Sequence, residues 1–307
     1  MIHGINLNTP ESDYFAFDAC SNSRLTDMLE SPAECRFNID NPSKPTQAMI
    51  MGSAVDTLVF SPQEFDKRFM VFGPCQAATA KGLPCSNTAN KLSEDGRQVC
   101  GIHGKGMEDS NTLSALSRED VELARAMRMA VYLHSTANQI LNECDCFQAS
   151  LLWDFQGLHC KARLDGAAWH LETLVDLKKQ SPRGMHDSAE AFSRALHSYG
   201  YFRQAAMYRW GASLCGKKIA NVVFIVVDES KVRARLKTDA KDKRLNECVQ
   251  VYRIRDEAIY YGELQLNPLL AKYRECWLSG EWPANEAIID VDIPAWAKKS
   301  IERSVSA

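Results

Sequence analysis

Hydrophobic and polar residues recur along this chain with periods that predict both helices and strands. The pattern predicts helices after the cap residues Ser21 to Ser23, over 47–60, from Ser117 onward, over 188–214 with a kink near Gly200, and over 256–278. The helix over 47–60 is mostly apolar and ends before Ser61-Pro62, where proline interrupts the helical hydrogen bonds. Ser117 and Asp120 resemble a capping box at the start of another helix.

Short β-prone segments lie between these helices. The pattern predicts strands within 147–178, over 222–227 and over 249–254, with turns at Gln156-Gly157 and Asp165-Gly166. The run VVFIVV at 222–227 is typical of a strand that is buried on both faces. Strands between helices favour an α/β fold with a mixed central sheet flanked by helices. We expect residues 1–307 to form one domain.

The composition is that of an ordinary globular protein, with 45% hydrophobic and 24% charged residues among 307. No run approaches the roughly 20 apolar residues needed to cross a membrane, and the N-terminus has no secretory pattern. We therefore expect a cytoplasmic protein without a membrane partner, whose eleven cysteines are mostly reduced thiols. The net charge of −3 gives no support for DNA binding, so such support must come from local clusters.

Three charged residues on the predicted strands point to metal chemistry. Asp176 and Lys178 lie two positions apart, so both side chains project from the same face of one strand. Asp165 ends a neighbouring strand, and carboxylates that converge at a sheet edge favour a divalent cation such as Mg²⁺ or Mn²⁺. A lysine beside them can orient a water or stabilise charge on a phosphate, as phosphodiester hydrolysis requires. The alternative is that this common D-x-K triplet marks a solvated strand end.

Asp56 and the pair Gln204 and Tyr208 support the same hypothesis. Asp56 lies within the apolar helix 47–60, where a lone carboxylate is costly unless it is paired or bound to a metal. Gln204 and Tyr208 are four residues apart and therefore share one face of a helix. The alternatives are that Asp56 lies on an exposed helix face and that Gln204 and Tyr208 belong to an ordinary helix surface.

Five segments, taken in order, resemble a known family. They are SNSRLTDMLESPAE, MGSAVDTLVFSPQEFDKRF, CKARLDGAAWHLETLVDLKK, YFRQAAMYRWG and GEWPANEAIIDVDIPAWAKK. On these segments the chain resembles the RecE-type exonucleases (exonuclease VIII family) of the PD-(D/E)XK nuclease superfamily. The resemblance covers most of the chain except residues 73–110 and 229–248.

The resemblance implies a role for each matching core residue. Asp165 and Asp176 match the metal-binding carboxylates of the family, and Lys178 matches its lysine. The backbone carbonyl of Leu177 would complete the metal shell.

The resemblance also covers the helical residues and the activity. Gln204 and Tyr208 match a Q-x₃-Y motif that orders water or phosphate near the metals. Asp56 departs from the pattern, because exonuclease VIII has a histidine ligand there, although other members of the superfamily use a carboxylate. The implied activity is processive, Mg²⁺-dependent 5′→3′ degradation of linear double-stranded DNA, which leaves 3′ single strands for a single-strand annealing protein. A ring-shaped homo-oligomer and a phage or prophage origin are implied in the same way.

A separate cysteine-bearing segment has the spacing C-x₉-C-x₁₄-C-x₂-H. Its residues are Cys75, Cys85, Cys100 and His103. Three thiolates and an imidazole suit tetrahedral Zn²⁺, and a metal would stabilise a segment with too few apolar residues to fold alone. We therefore predict an inserted zinc-binding module over residues 73–106. The alternative is a flexible loop that carries cysteines.

Basic residues are concentrated in residues 231–244, which hold seven of them against two acidic residues. The alternating members are Lys231, Arg233, Arg235 and Lys237. A strand would direct all four to one side, as a ribbon that contacts DNA phosphates. The alternative is a solvated hairpin. Ser23 and Arg24, at a predicted helix start, are candidates for binding a 5′-terminal phosphate.

The sequence therefore favours a metal-dependent DNA exonuclease and leaves two alternatives open. One is a non-catalytic DNA- or protein-binding factor on a nuclease fold, in which the zinc module and the basic ribbon carry the function. The other is an endonuclease or a single-strand nuclease of the same superfamily.

Overall fold

The computed structural model describes residues 3–107, 113–180, 188–238, 243–286, 288 and 290–305. The strands are β1 (Gly4–Asn6), β2 (Phe69–Phe72), β3 (Lys91–Leu92), β4 (Gln98–Val99), β5 (Ser114–Ser117), β6 (Cys146–Phe155), β7 (Leu158–Ala168), β8 (Thr173–Gln180), β9 (Asn221–Asp228) and β10 (Val249–Arg253). The helices are α1 (Glu11–Ala16), α2 (Asn22–Asp27), α3 (Pro32–Asp40), α4 (Gln47–Phe60), α5 (Phe65–Arg68), α6 (Arg118–Leu133), α7 (Ser135–Asn142), α8 (Ser188–Ser198), α9 (Tyr201–Leu214), α10 (Glu229–Leu236), α11 (Asp256–Ser279) and α12 (Ala295–Val305).

Six strands form a mixed central sheet in the order β1-β6-β7-β8-β9-β10. β8 and β9 run parallel, and the other neighbouring pairs are antiparallel. β2 and β5 form a separate parallel pair, and β3 and β4 form a small antiparallel pair. The predicted α/β fold with a mixed central sheet flanked by helices is confirmed.

Both faces of the sheet are covered because β9 is apolar on both sides. Phe224 and Val226 belong to the core that includes side chains of α9 and α11. Ile225 and Val227 belong to a second core, which includes side chains of α4 and α6. β8 pairs with this buried strand along its whole length. The strand that carries Asp176 is therefore fixed by two packed layers.

Several predicted helices are present with small changes. Thr46 caps α4, and its hydroxyl accepts a hydrogen bond from the backbone N–H of Met49 at 3.3 Å. The predicted capping box is present, since Ser117 and Asp120 each accept a hydrogen bond from the other's backbone N–H. The helix predicted over 188–214 is two helices rather than one kinked helix. Gly200 separates them with φ = 65°, a left-handed conformation that glycine adopts without steric cost.

The turn predicted at Asp165-Gly166 is wrong, because β7 continues to Ala168. Gly166 serves close packing within the strand rather than a turn. A Cβ on this residue would lie 3.1 Å from Sγ of Cys144 and 3.3 Å from the ring of Phe147. The chain instead turns after Ala168, where Glu172 takes φ = 49°.

The predicted basic ribbon is also wrong, because its residues lie on the helix α10 and on its C-cap. The residues concerned are Lys231, Arg233, Arg235 and Lys237. Asp228 starts the helix by accepting a hydrogen bond from the backbone N–H of Lys231 at 3.0 Å. Arg233 pairs with Glu229 and Arg235 pairs with Glu247. Helical spacing directs alternate residues to different sides, so the four do not share one face.

None of the helices in the described ranges has the length and apolar character needed to cross a bilayer.

We expect Gly262→Ala to destabilise the protein. A Cβ on this α11 residue would lie 2.4 Å from the backbone oxygen of Phe202 in α9, so the two helices would have to move apart. The free energy of unfolding should fall by about 1–3 kcal/mol, measured by urea denaturation. Gly52→Ala is the matched control, because this helical glycine has open space around it and alanine should be neutral or stabilising there. Equal effects of the two substitutions would contradict the close packing of α9 and α11.

Candidate active site and metal centre

The hydrogen-bonded ladder between β7 and β8 ends where two carboxylates would stand opposite each other. The last residues to pair are Gly166 and Val175, and the next positions in this register are Asp165 and Asp176. Like charges directly opposite one another destabilise a sheet. Oδ2 of Asp165 instead accepts a hydrogen bond from the backbone N–H of Leu177 at 2.7 Å. Because a paired strand residue directs its N–H and C=O to the same side, the Leu177 carbonyl faces Asp165 as well.

Asp176 is almost fully buried, with 5% of its surface exposed. Its Oδ1 accepts a hydrogen bond from Nε2 of Gln204 at 3.3 Å. Its other oxygen, Oδ2, is paired with Nζ of Lys178 at 2.5 Å and has no further hydrogen-bond partner among the described residues. A carboxylate oxygen can accept more than one contact, so this oxygen keeps unused acceptor capacity. Together with Asp165 and Asp56 it offers hard oxygen donors, which fit a divalent metal ion.

Asp56 faces the same region from α4. Its Oδ2 accepts a hydrogen bond from Nε2 of Gln148 at 3.0 Å. Burial raises the pKa of Asp56 to about 7, and the charge of Asp176 adds to the shift, while Arg68 opposes it. These contacts exclude the alternative of a solvated helix face for Asp56.

Four of the predicted residues border one open cleft of about 320 Å³ between α4 and β8. Its lining includes Asp56, Asp165, Leu177 and Lys178. Among the described residues, only a Cys/His group brings three or more metal-ligating atoms within 4.8 Å of one another. The three carboxylates are therefore not gathered around one point, which their mutual repulsion accounts for.

Buried charge dominates the electrostatics of this cleft. Burial raises the pKa of Asp165 well above its usual range, and Asp56 and Asp176 raise it further. Burial alone would lower the pKa of Lys178, but Asp176 and Asp165 outweigh it and raise that pKa. Nζ of Lys178 also lies 4.6 Å from the centre of the Tyr201 ring. In the metal-free protein these carboxylates favour the protonated form of Lys178, which can stabilise negative charge.

Gln204 and Tyr208 reach the carboxylates from α9. Nε2 of Gln204 donates to the hydroxyl oxygen of Tyr208 at 2.9 Å as well as to Asp176. Burial raises the pKa of Tyr208 well above its usual range, so its hydroxyl keeps its proton. The alternative of an ordinary helix surface is wrong, because both side chains face the site.

Gln148 is a site residue that the sequence interpretation missed. It stands opposite Asp165 on β6, where the β6–β7 register is interrupted, and it takes φ = 53°. While its Nε2 holds Asp56, its Oε1 accepts a hydrogen bond from Nε of Arg163 at 2.9 Å. Arg163 in turn donates to the backbone oxygen of Thr9. The left-handed backbone conformation of a glutamine within a strand does not change the pattern of hydrophobic and polar residues, so no sequence signal identifies Gln148.

The predicted phosphate-binding residues near the N-terminus have partners within the protein. The hydroxyl of Ser23 lies 2.9 Å from that of Ser21. Arg24 pairs with Asp18 at 2.7 Å and donates to the hydroxyl of Tyr273 at 3.0 Å. Phosphate binding at Ser23 and Arg24 stays a prediction.

Comparison with known proteins identifies the family and the fold of this chain. A family model described as "PDDEXK-like domain of unknown function (DUF3799)" matches residues 21–290. The chain belongs to this PDDEXK-like family. Its fold is similar to the crystal structure of a "Putative exonuclease" from Eubacterium rectale, with a TM-score of 0.54 and 11% identity over 96% of this chain and 99% of that chain. A similarity at this level of identity concerns the fold alone. No curated protein sequence matches the chain.

The PDDEXK-like assignment confirms the superfamily that the sequence resemblance indicated. The narrower resemblance to RecE-type exonucleases stays a prediction, because neither match distinguishes that branch.

A second candidate metal site lies in the segment between β2 and β5 of this PDDEXK-like protein. Its residues are Cys75, Cys85, Cys100 and His103. Nδ1 of His103 lies 3.5 Å from Sγ of Cys75 and 3.4 Å from Sγ of Cys100, and the latter lies 4.0 Å from Sγ of Cys85. Ligands around one tetrahedral zinc ion stand roughly 3.5–4 Å apart, as bond lengths of about 2.0–2.3 Å require. The structure thus brings the predicted ligands together at a spacing that fits a metal ion.

Asp56→Asn should stabilise the metal-free protein, and more so at pH 8 than at pH 5. The folded-state pKa of Asp56 is raised to about 7, so the folded protein loses stability as pH rises from the usual carboxyl range to that value. Between pH 5 and pH 8 the advantage of asparagine should grow by roughly 1–3 kcal/mol, measured by urea denaturation in chelator. Asp66→Asn, at an exposed carboxylate on α5, is the control. The same pH dependence in both variants would rule out a buried, strained Asp56.

Proposed function

We propose that this protein is a divalent-metal-dependent nuclease that degrades linear double-stranded DNA from its ends. The observation that carries the proposal is the meeting of Asp165, Asp176 and Lys178 where the β7–β8 ladder ends, with Lys178 paired to Asp176. Membership of a PDDEXK-like family supports a nuclease, and the structural relative from Eubacterium rectale, which is described as a "Putative exonuclease", supports action at DNA ends.

The chain's own groups fit the roles that hydrolysis needs. Asp165, Asp176, Asp56 and the Leu177 carbonyl would hold Mg²⁺ or Mn²⁺, which when bound supplies charge neutralisation at the phosphate and acidifies water. Lys178, held as a cation by the carboxylates around it, stabilises the negative charge that develops on the phosphate.

Hydrogen bonds from two glutamine side chains hold two of the carboxylates in place. Gln204 orients Asp176 through Oδ1, and Gln148 orients Asp56 through Oδ2. Each amide leaves one oxygen of its carboxylate available for a cation, as in metal sites whose ligands are fixed by outer hydrogen bonds.

The RecE-type resemblance supports the finer features of the proposal. It implies 5′→3′ polarity, 3′ single-stranded products, an annealing-protein partner, a phage origin and a ring-shaped homo-oligomer. These features are extensions of the nuclease proposal and depend on the resemblance alone.

Asp176→Asn and Lys178→Ala should each reduce cleavage of end-labelled linear duplex DNA in Mg²⁺ by at least about 100-fold. The first removes a charged ligand and the second removes stabilisation of the transition state, which is worth several kcal/mol at a preorganised site. Chelator should abolish cleavage by the native protein. Lys217→Ala, on the loop after α9, is the matched control and should keep full activity.

A covalently closed circle, run beside the linear duplex, separates the alternatives. The exonuclease should spare the circle, and cutting of the circle would identify an endonuclease instead. Binding of DNA without cleavage of any substrate in Mg²⁺ or Mn²⁺ would identify a non-catalytic binding factor and overturn the proposal.

We also propose that the Cys/His group binds Zn²⁺ and stabilises an inserted module over residues 73–106. Soft thiolate ligands with one imidazole suit zinc better than Mg²⁺, which prefers oxygen. The small buried cluster in this segment consists of its three cysteines and Val99, so little apolar burial holds the segment together.

Metal analysis tests the zinc proposal. Protein purified without chelator should contain about one equivalent of zinc, and Cys100→Ser should lose most of it and make the segment sensitive to proteolysis. Cys215→Ser, at a half-buried cysteine outside the group, should retain the metal. Native protein that is free of zinc and resists proteolysis equally with and without chelator would contradict a structural zinc site.

A further inference from the structure

A larger groove opens beside the carboxylate cleft, between the first turn of α4 and the helix α8. Its volume is about 590 Å³. It shares Ala48, Lys178, Lys179 and Tyr201 with the carboxylate cleft, so the two spaces lie side by side. A ligand that occupied both would extend from the carboxylates along α8. We call this second space the aromatic groove, after Tyr199, Tyr201 and Phe192 in its wall.

The aromatic side chains of the groove are arranged in a graded series from buried to exposed. Phe192 is buried and stacks on Tyr201 with 6.4 Å between ring centres. The Tyr199 ring lies 5.6 Å from that of Tyr201, and 67% of the Tyr199 surface is exposed. The left-handed Gly200 between the two tyrosines lets both rings stand on the same side of the chain. Tyr199 thus presents a ring to solvent that is supported by Tyr201, and Tyr201 in turn lies against Lys178.

The charge of the groove is one-sided. Among the described residues, its lining contains the cations Lys178, Lys179 and Arg194 and no carboxylate, and Lys178 is paired with Asp176 outside that lining. Lys179 pairs with Glu229, and both side chains are mostly buried. Arg194 pairs with Glu190, and both of these side chains are more than half exposed. An exposed pair of this kind contributes little stability, so Arg194 can exchange Glu190 for a phosphate at small cost.

We propose that the aromatic groove binds single-stranded DNA, with an unpaired base stacked on Tyr199 and a phosphate held by Arg194, and leads that strand to the carboxylate cleft. The proposal rests on the nuclease function proposed above and specifies the form in which the substrate enters. Cationic grooves with exposed aromatic rings are the usual means of binding single strands, because every unpaired base offers a flat face. A base inside a duplex has both faces covered by its neighbours, so the groove selects an end that has lost its pairing.

Binding is measured in an Asp176→Asn background, so that no strand is cut and the result does not depend on catalysis. The probe is an oligonucleotide with 2-aminopurine at its unpaired end, whose fluorescence falls when the base stacks. Tyr199→Ala should weaken binding of the single strand by about 5- to 100-fold and abolish the quenching, as loss of one base–aromatic stack requires. Tyr199→Phe keeps the ring and should keep both affinity and quenching. Tyr260→Ala, at a similarly exposed tyrosine on α11, is the control and should change neither.

Two further probes complete the test. A closed circular duplex, which has no unpaired end, should bind equally to the Tyr199→Ala variant and to the parent protein. A deoxynucleoside monophosphate should bind the parent protein at least about 10-fold more weakly than the oligonucleotide, because it offers one phosphate instead of several. Unchanged affinity and quenching in Tyr199→Ala, an equal loss for the closed duplex, or tight binding of the mononucleotide would each overturn the proposal. Normal DNA cleavage by the catalytically intact Tyr199→Ala together with unchanged binding would refute the groove while leaving the nuclease function in place.

Discussion

The structure depends on how it compensates carboxylates that are brought together inside a sheet. Asp165 and Asp176 occupy the register positions at which the β7–β8 ladder stops. Folding buries Asp176 and partly buries Asp165, and the protein offsets the cost with one lysine, one amide and one backbone N–H. Among the described residues, Lys178 is the single partner of one Asp176 oxygen. A fold stabilised by about 5–15 kcal/mol in total retains such a centre only where other contacts outweigh its cost.

The surrounding layers supply that compensation. β8 is held along its length by β9, whose side chains reach both cores of the protein. α4 brings Asp56 to one side of the gap, and α9 brings Gln204 to the other. Because α9 packs closely on α11 through Gly262, the position of Gln204 is fixed by helix packing rather than by the site itself. The rigidity of the site therefore originates in apolar contacts that carry no chemistry.

Local patterns predicted the parts of the fold and site that depend on neighbouring residues. Spacing alone placed Asp176 and Lys178 on one strand face, and helical periodicity placed Gln204 beside Tyr208. The prediction of a basic ribbon was wrong because the alternation of basic residues in 231–237 was interpreted as a strand, whereas Asp228 caps a helix there. Gln148 could not be found, because its role depends on Arg163, Asp56 and Asp165, which come from distant parts of the chain. The carboxylate centre was visible in sequence since its members lie on adjacent strands, but its outer support was not.

The two candidate metal sites differ in the chemical hardness of their ligand atoms. The cleft offers carboxylate oxygens, which stand apart from one another in the absence of a cation. It opens to solvent beside a groove lined by cationic side chains. The Cys/His group offers sulfur and nitrogen, already within 4.8 Å of one another and largely buried. A preformed, closed set suits a structural ion, whereas an open set of carboxylate oxygens suits an ion that must also meet a substrate. On the proposed function, the separation would let one chain keep a permanent metal in its insert and an exchangeable one where the phosphate binds.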